Sequence, residues 1–368
     1  MYPINNQPDL PWNDLPDLPI DNSLYRTVEI LEQLGKAKAE VGKLQGRSVV
    51  LKNQPELLKA ISLQECRASA AIDGIEILDG ALFKQTSKGL SLAKGPSVAI
   101  LQTQNALWWA HQQLAASKPI TMSFFIDVFR KVRNSEESIR SAMINKSIQN
   151  EGAGAIADAA IYTPPSGKIV ILKKLENLAY FINHSEIDPL LKMAIAHYQF
   201  EAIHPFETSN GLVGRLLNIL VLQHAKQIDL PILYLSQFIS KHRKQYTAAL
   251  AGVSSRGDWA TWLLFMLKAL EETAKLTFEK INQIAELKQI QIEQVERKAK
   301  AIRRPDELIH ALFEQPYTKV KHLTDQGIYA ENTARLYLNE LSKIGILEKK
   351  QLEGHHFYVN KALKKVLD

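Results

Sequence analysis

The chain has 368 residues, enough for two domains or one large domain with an appendage, and its 46% hydrophobic and 23% charged composition is that of a soluble globular protein. A single cysteine, Cys66, excludes an internal disulfide framework and points to a reducing cytosol, so a cytoplasmic protein is expected. The start Met1-Tyr-Pro-Ile has neither the basic region nor the apolar core of a secretory signal, and Arg215 and Asn218 interrupt the most apolar stretch, so no membrane association is expected.

The net charge of +6 and pI of about 9.1 raise the question of nucleic acid, but the basic residues are spread along the chain. Residues 301–368 carry eleven Lys/Arg against nine Asp/Glu, so the tail has no concentrated basic patch. Solvated helix faces account for the balance.

In chain order, Pro3, Pro8, Pro11, Pro16 and Pro19 forbid a helix over residues 1–23 and favour an extended arm, which Trp12 and the Leu/Ile residues would fasten to the body. Helical spacing follows from Ser23 to Leu58 and again from Pro55 to Ala71, stopping at Asp73-Gly74. Further helices are expected at Pro96–Ser117 and Thr121–Val132. Residues 145–167 break the pattern, and Ile161-Tyr-Thr-Pro-Pro165 reads as an edge strand or hairpin. Helices return at Val170–Asn183, Pro189–Ile203, Gly211–Lys226 and Ser236–Val253. Asp258 is placed as the N-cap of a helix bearing Trp259 and Trp262, and Leu267–Ile302 as a charged connector that spaces the last domain from the body. Beyond it, helices at Pro305–Phe313, Val320–Gln326 and Glu331–Ile344 precede two strands about the turn at Gln351–Gly354. That is the order of a winged helix-turn-helix.

The chemistry concentrates in Ala202-Ile-His-Pro-Phe-Glu-Thr-Ser-Asn-Gly-Leu-Val-Gly-Arg-Leu216. An apolar helix halts at His204-Pro205, a polar turn follows, and a second apolar helix opens near Gly211. A His-Pro after a helix is ordinarily punctuation, and Asn-Gly is an ordinary turn. Here the imidazole lies beside a helix start whose N–H groups can hold an anion, with Arg215 one turn further in. A base, a phosphate cradle and a cation are what phosphoryl-type chemistry requires.

This segment resembles the motif of the Fic family, His-Pro-Phe-x-Asp/Glu-Gly-Asn-Gly-Arg-x-x-Arg, and the similarity continues into flanking segments. Ile161, Tyr162 and Thr163 resemble the flap that docks a target segment; Leu230–Ser236, Tyr246 and Gly257-Asp-Trp259 also fit, as does a winged-helix tail. The resemblance implies a mainly α fold: a Fic-type helical core with a short β-hairpin flap and a C-terminal winged helix. Residues 1–100 would be the arm and N-terminal helices, 101–270 the core, 271–302 the connector and 303–368 the tail. It also implies transfer of AMP from ATP to a Tyr, Thr or Ser hydroxyl of a target protein, with pyrophosphate released. His204 would be the base; Ser209, Asn210, Gly211, Leu212, Arg215 and Tyr246 occupy the nucleotide-binding positions.

The motif departs from the family at three places. Thr208 stands where an acidic residue holds Mg²⁺, and a hydroxyl is a poor ligand for a hard dication. Ser209 replaces a glycine, which argues against a positive φ there. Leu212 replaces an arginine; losing one charge-assisted hydrogen bond costs roughly 1.5–3 kcal/mol. Near the N-terminus, Ser69-Ala-Ala-Ile-Asp73-Gly74 resembles the family's inhibitory Ser/Thr-x-x-x-Glu-Gly/Asn, so Asp73 is expected to face Arg215 as a brake. By itself the same run is a helix C-terminus.

No cysteine/histidine cluster has zinc spacing, and no Walker loop or Gly-x-Ser-x-Gly elbow is present. The Trp108-Trp109 and Trp259/Trp262 pairs read as core or interface aromatics, and His355-His356 as a surface turn. Two functional readings follow: an autoinhibited adenylyltransferase of reduced or altered activity using ATP and Mg²⁺, or a catalytically silent regulator that binds DNA or a protein through 303–368. A homodimer stays open in both.

Overall fold

The computed structural model describes residues 15–51, 54–76, 95–140, 148–149, 160–314, 316–352 and 355–367. Pro3, Pro8, Pro11 and Trp12 of the expected arm lie outside these residues. The described part of the arm does fasten to the body. Leu15, Leu18 and Ile20 are buried, and the Asn177 side chain accepts from Leu18 N at 2.8 Å and donates to Leu18 O at 3.0 Å.

Two helices form the centre, α6 (Pro189–Ile203) and α7 (Asn210–His224). Both are mostly apolar and buried on nearly every side, the pattern of a helix enclosed by its neighbours. Asp188 caps α6 by accepting from Leu190 N at 3.0 Å, and Pro189 occupies the first turn, where its missing N–H costs nothing. Around this pair pack α2 (Pro55–Ile72), α3 (Pro96–Ala115), α4 (Met122–Arg133) and α5 (Lys168–His184). Thr121 caps α4 through Phe124 N at 3.1 Å, and Asn134 ends it in the left-handed region.

The expected hairpin is present as β1 (Ile148–Gln149) antiparallel to β2 (Ala160–Tyr162). The expected single helix over Ser236–Val253 is two helices, α8 (Leu235–Lys241) and α9 (Arg243–Arg256), parted at His242. His242 has φ −113°, outside the helical range, and its Nδ1 lies 3.0 Å from Phe238 O.

The connector also differs from expectation. Trp259 to Lys298 is one uninterrupted helix of 40 residues, α10, capped by Asp258 through Thr261 N at 3.1 Å. Its stretch up to Ile281 is not a spacer: Ala269, Leu270, Thr273, Ala274, Thr277 and Ile281 are buried. Much of that stretch packs along α1 (Val28–Ser48), which presents Ile30, Leu34, Ala37, Val41 and Leu44 at helical spacing. Charge on the outer face hid this apolar seam from the sequence.

The C-terminal region runs α11 (Pro305–Leu312), β3 (Tyr317–Thr318), α12 (Val320–Asp325), α13 (Glu331–Lys343), β4 (Glu348–Leu352), β5 (His355–Val359) and α14 (Lys361–Leu367). The strands form an antiparallel sheet in the order β3-β5-β4. The short strand β3 and the final helix were not expected from the sequence. Among the described residues, no helix is long and apolar enough to cross a membrane.

Candidate active site

His204 is the last residue before the α6–α7 turn, and the chain there bends sharply. Its N–H still closes the helix onto Phe200 O at 3.1 Å, but its own φ of 46° is left-handed. The following Pro205 disfavours continued helix, so the turn is built into the sequence. Phe206 then anchors the loop: it is fully buried and stacked on Phe129 with centroids 3.9 Å apart and planes at 6°.

The Asn210 side chain closes this loop. Its Oδ1 accepts from Phe206 N at 2.9 Å and its Nδ2 donates to Phe206 O at 2.8 Å. The amide expected to hold a phosphate is therefore engaged with the backbone, and it shapes the turn. Ser209 adopts φ 62°, the conformation that its β-carbon was expected to oppose. A left-handed residue with a β-carbon costs about 1–2 kcal/mol, of which glycine's greater unfolded-state freedom would return roughly 0.5–1 kcal/mol. Ser209→Gly is thus expected to stabilise the protein by about 0.5–1 kcal/mol, read as a higher midpoint in urea at unchanged slope.

Helix α7 opens without a side-chain cap, so the N–H groups of its first turn point toward the loop unaided by a side chain. Over this mouth lies a carboxylate from the same chain. Asp73, at the C-cap of α2, pairs with Arg215 Nη2 at 2.9 Å. A β-carbon at Gly211 would stand 2.7 Å from Arg215 Nη1 and 3.1 Å from Asp73 Oδ1, so only glycine lets the pair lie across the helix start. Ser69 completes the grip: its Oγ accepts from Arg215 Nε at 2.7 Å and its carbonyl from Nη2 at 2.9 Å. Arg215 is 3% exposed and Asp73 29%. Gly74 turns the chain away at φ 77°.

Tyr246 reaches this centre from α9, but its hydroxyl is engaged. It meets His197 Nε2 at 2.9 Å, while His197 Nδ1 lies 3.1 Å from Gly214 O. Burial pushes the His197 imidazolium down to about 3, despite the Gly214 carbonyl, so this ring is neutral. Burial likewise drives the Tyr246 phenol well above its ordinary range. Two carboxyls in this neighbourhood also shift, each chiefly through burial: Glu65 and Glu201 are raised to about 7. Glu65 receives Ser236 N at 3.0 Å, fixing α2 against the start of α8.

The three departures from the motif differ in setting. Leu212 is 3% exposed and packs in the core, so the missing arginine has been replaced by buried apolar surface. Thr208 is exposed, with the half-buried Glu207 beside it. Among the described residues, no group of three or more His, Cys, Asp or Glu is placed to hold a metal ion. The donor set present, the Thr208 hydroxyl beside a single carboxylate at Glu207, does not suit Mg²⁺.

Sequence reasoning missed Arg140. It is 1% exposed, donates from Nε to His204 O at 2.7 Å and from Nη2 to Pro165 O, and its own N–H binds Pro205 O at 2.9 Å. One guanidinium thus joins the base of the flap to the motif turn. Of the flap positions, Ile161 and Tyr162 lie on β2, which runs beside α9, and Thr163 follows it half-buried.

Three stretches of the chain match known protein families. Residues 106–222 match the Fic/DOC family, 31–112 the Fic/DOC family N-terminal region, and 287–363 the C-terminal domain of protein adenylyltransferase SoFic-like proteins. The chain is 30% identical over 128 residues to protein adenylyltransferase fic-1 of Caenorhabditis elegans and 28% over 127 residues to that of Caenorhabditis briggsae. Those matches cover 32% of this chain and 23% of each relative, so the chain spans under a quarter of the curated relatives' length. In fold it is similar to a Fic family protein from Desulfovibrio desulfuricans, with TM-score 0.57 and 19% identity over 94% of this chain and 98% of that one. It is also similar to Fic-1 (residues 134–508) of C. elegans, with TM-score 0.52 and 20% identity over 69% of this chain and 74% of that one. The three matched regions follow one another in order along the sequence, and the chain belongs to the Fic/DOC family.

Proposed function

We propose that this protein is an adenylyltransferase held off by its own Asp73, moving AMP from ATP to a hydroxyl side chain of a target protein. The observation that carries the reading is the Asp73–Arg215 pair lying across Gly211 at the open start of α7. A carboxylate there occupies the place that a phosphate of the nucleotide would take, since both are anions suited to one guanidinium and one helix N-terminus.

In the reaction, the target hydroxyl oxygen forms a bond to the α-phosphorus and the α,β-bridging P–O bond breaks. Pyrophosphate leaves with that electron pair, and His204 accepts the hydroxyl proton. Backbone N–H groups of Gly211 and its neighbours would face the phosphates, and the flap at 161–163 would align the target segment beside His204. The engaged side chains of Asn210 and Tyr246 set the shape of this seat without contacting the nucleotide. With Thr208 and Leu212 in the motif, the turnover expected is low.

The test uses α-labelled ATP with Mg²⁺ and a cell extract, comparing wild type, Asp73→Gly and Asp73→Gly/His204→Ala. Label transfer is expected to rise on brake release and to fall by about 10²–10⁴-fold when the base is removed. No label in the Asp73→Gly protein would overturn the enzymatic reading and leave a silent regulator. The partner surface of such a regulator would be α13, where Leu336 is 61% exposed and Arg335 is paired with Glu331 at 2.6 Å. That face suits protein better than DNA.

A further inference from the structure

Beside the brake, α2 borders a hollow of about 280 Å³ whose walls come from three distant parts of the chain. Gln64, Arg67, Ala68 and Ala71 line it from α2, Tyr234 and Gln237 from the start of α8, and Leu367 from α14. The α2 residues recur at helical spacing, on the stripe next to Glu65, Ser69 and Asp73. The hollow lies just under the usual range of small-molecule sites, about 300–1,000 Å³, which is room for a fragment rather than a nucleotide.

Its frame is set by bonds outside the cavity. Glu65 accepts from Ser236 N at 3.0 Å, tying α2 to α8. Lys280 donates to Val366 O and Leu367 O at 2.8 and 3.0 Å and stands 5.2 Å from the centre of the Tyr234 ring. Two polar atoms of the lining stay unanswered. Gln64 is 7% exposed and its Nε2 has no hydrogen-bond partner; Gln237 Oε1 is also buried without one. One is a donor and the other an acceptor, and a methionine at either place would avoid the cost of burying them. Ala68, Ala71 and Leu367 give apolar wall, on which water gains nothing. Apolar surface with a few polar atoms is the make-up of a site for a small organic molecule.

We propose that this hollow binds a small primary amide bearing an apolar group, and that the occupant holds α2 in its braked position. The ligand carbonyl accepts from Gln64 Nε2, its NH₂ donates to Gln237 Oε1, and the apolar group lies against Ala68, Ala71 and Leu367. A primary amide carries both functions, so it matches a glutamine amide whichever way that amide is turned. The site exists only while α2, α8 and α14 stand together. A ligand there therefore favours the state in which Asp73 reaches Arg215. Only one consequence, a further fall in AMP transfer, rests on the proposed transferase reading; binding and the hold on α2 do not.

The test uses the full-length protein, ¹⁵N-labelled, with benzamide as probe and benzoate as its anionic isostere. Benzamide is expected to shift the side-chain NH₂ signals of Gln64 and Gln237. Gln64→Met is expected to weaken it about tenfold, the worth of one hydrogen bond. Ala68→Leu fills the space without removing a polar group and is expected to abolish binding. At benzamide about ten times its Kd, hydrogen exchange of amides 62–75 should slow about 11-fold. Silence with benzamide, or unchanged binding in Ala68→Leu, would overturn the site. Benzoate binding as tightly as benzamide would show that Arg67 selects an anion and would overturn the amide assignment. Binding with unaltered exchange over 62–75 would overturn the hold on α2. None of these readouts uses ATP, so an Asp73→Gly protein that transfers no label leaves them standing.

Discussion

Asp73→Ala is expected to lower stability by about 3 kcal/mol at low ionic strength, and phosphate-bearing ligands are expected to recover much of it. The asymmetry of the pair explains the size. Asp73 is 29% exposed and can be hydrated, whereas Arg215 is 3% exposed and would remain as a buried cation. Removing one partner of a buried pair costs about 3–5 kcal/mol, mostly through the charge left behind. The surviving bonds from Arg215 to Ser69 Oγ and O place this site at the low end of that range. Arg215→Met leaves no such charge and is expected to cost less. Urea unfolding of both variants, with and without ATP, checks the ordering. An Arg215→Met protein less stable than Asp73→Ala would show that the guanidinium acts chiefly through its hydrogen bonds to Ser69.

Arg140→Met is expected to destabilise by about 3 kcal/mol, since two or more buried carbonyls lose their donor at about 1–3 kcal/mol each. The carbonyls are those of His204 and Pro165, which belong to the motif turn and the base of the flap. The effect should therefore be local as well as global. Hydrogen exchange should quicken in β2 and in the 204–209 turn before it quickens in α6 or α10. Uniform quickening across the whole core would mean that Arg140 does not join these two segments specifically.

Why some of this was legible in the sequence and some was not follows from the range of the interactions. The stop at His204-Pro205, the cap at Asp258, and the run of apolar residues in α6 are local signals. Each acts within a few residues, and each appears where expected. Asp73 facing Arg215 was legible only through the family resemblance, because 142 residues separate the two. Arg140 gives no signal at all: it binds the main-chain carbonyls of His204 and Pro165, and a carbonyl has no sequence identity.

Two residues were legible by type but not by behaviour. Asn210 was expected to face phosphate, yet its amide is closed on Phe206, a choice set by the tight loop rather than by the residue. Ser209 was expected to resist a positive φ, and the surrounding turn imposes it anyway. The break at His242 and the unbroken span from Trp259 to Lys298 were misjudged for one common reason. Helical spacing reports amphipathic faces, and it is nearly blind to whether two such faces are continuous.

That unbroken span has a mechanical corollary. A 40-residue helix without Gly or Pro is a strut about 60 Å long, rooted at Trp262 among the core aromatics. Lys280, partway along it, holds the terminal carbonyls of Val366 at 2.8 Å and Leu367 at 3.0 Å, and α14 in turn rests on α2. The tail is therefore held to the strut at a second point, beyond the 299–304 link between α10 and α11. A load applied to it is delivered through α14 to the helix that carries Ser69 and Asp73, and yields only if the Lys280 clasp opens first.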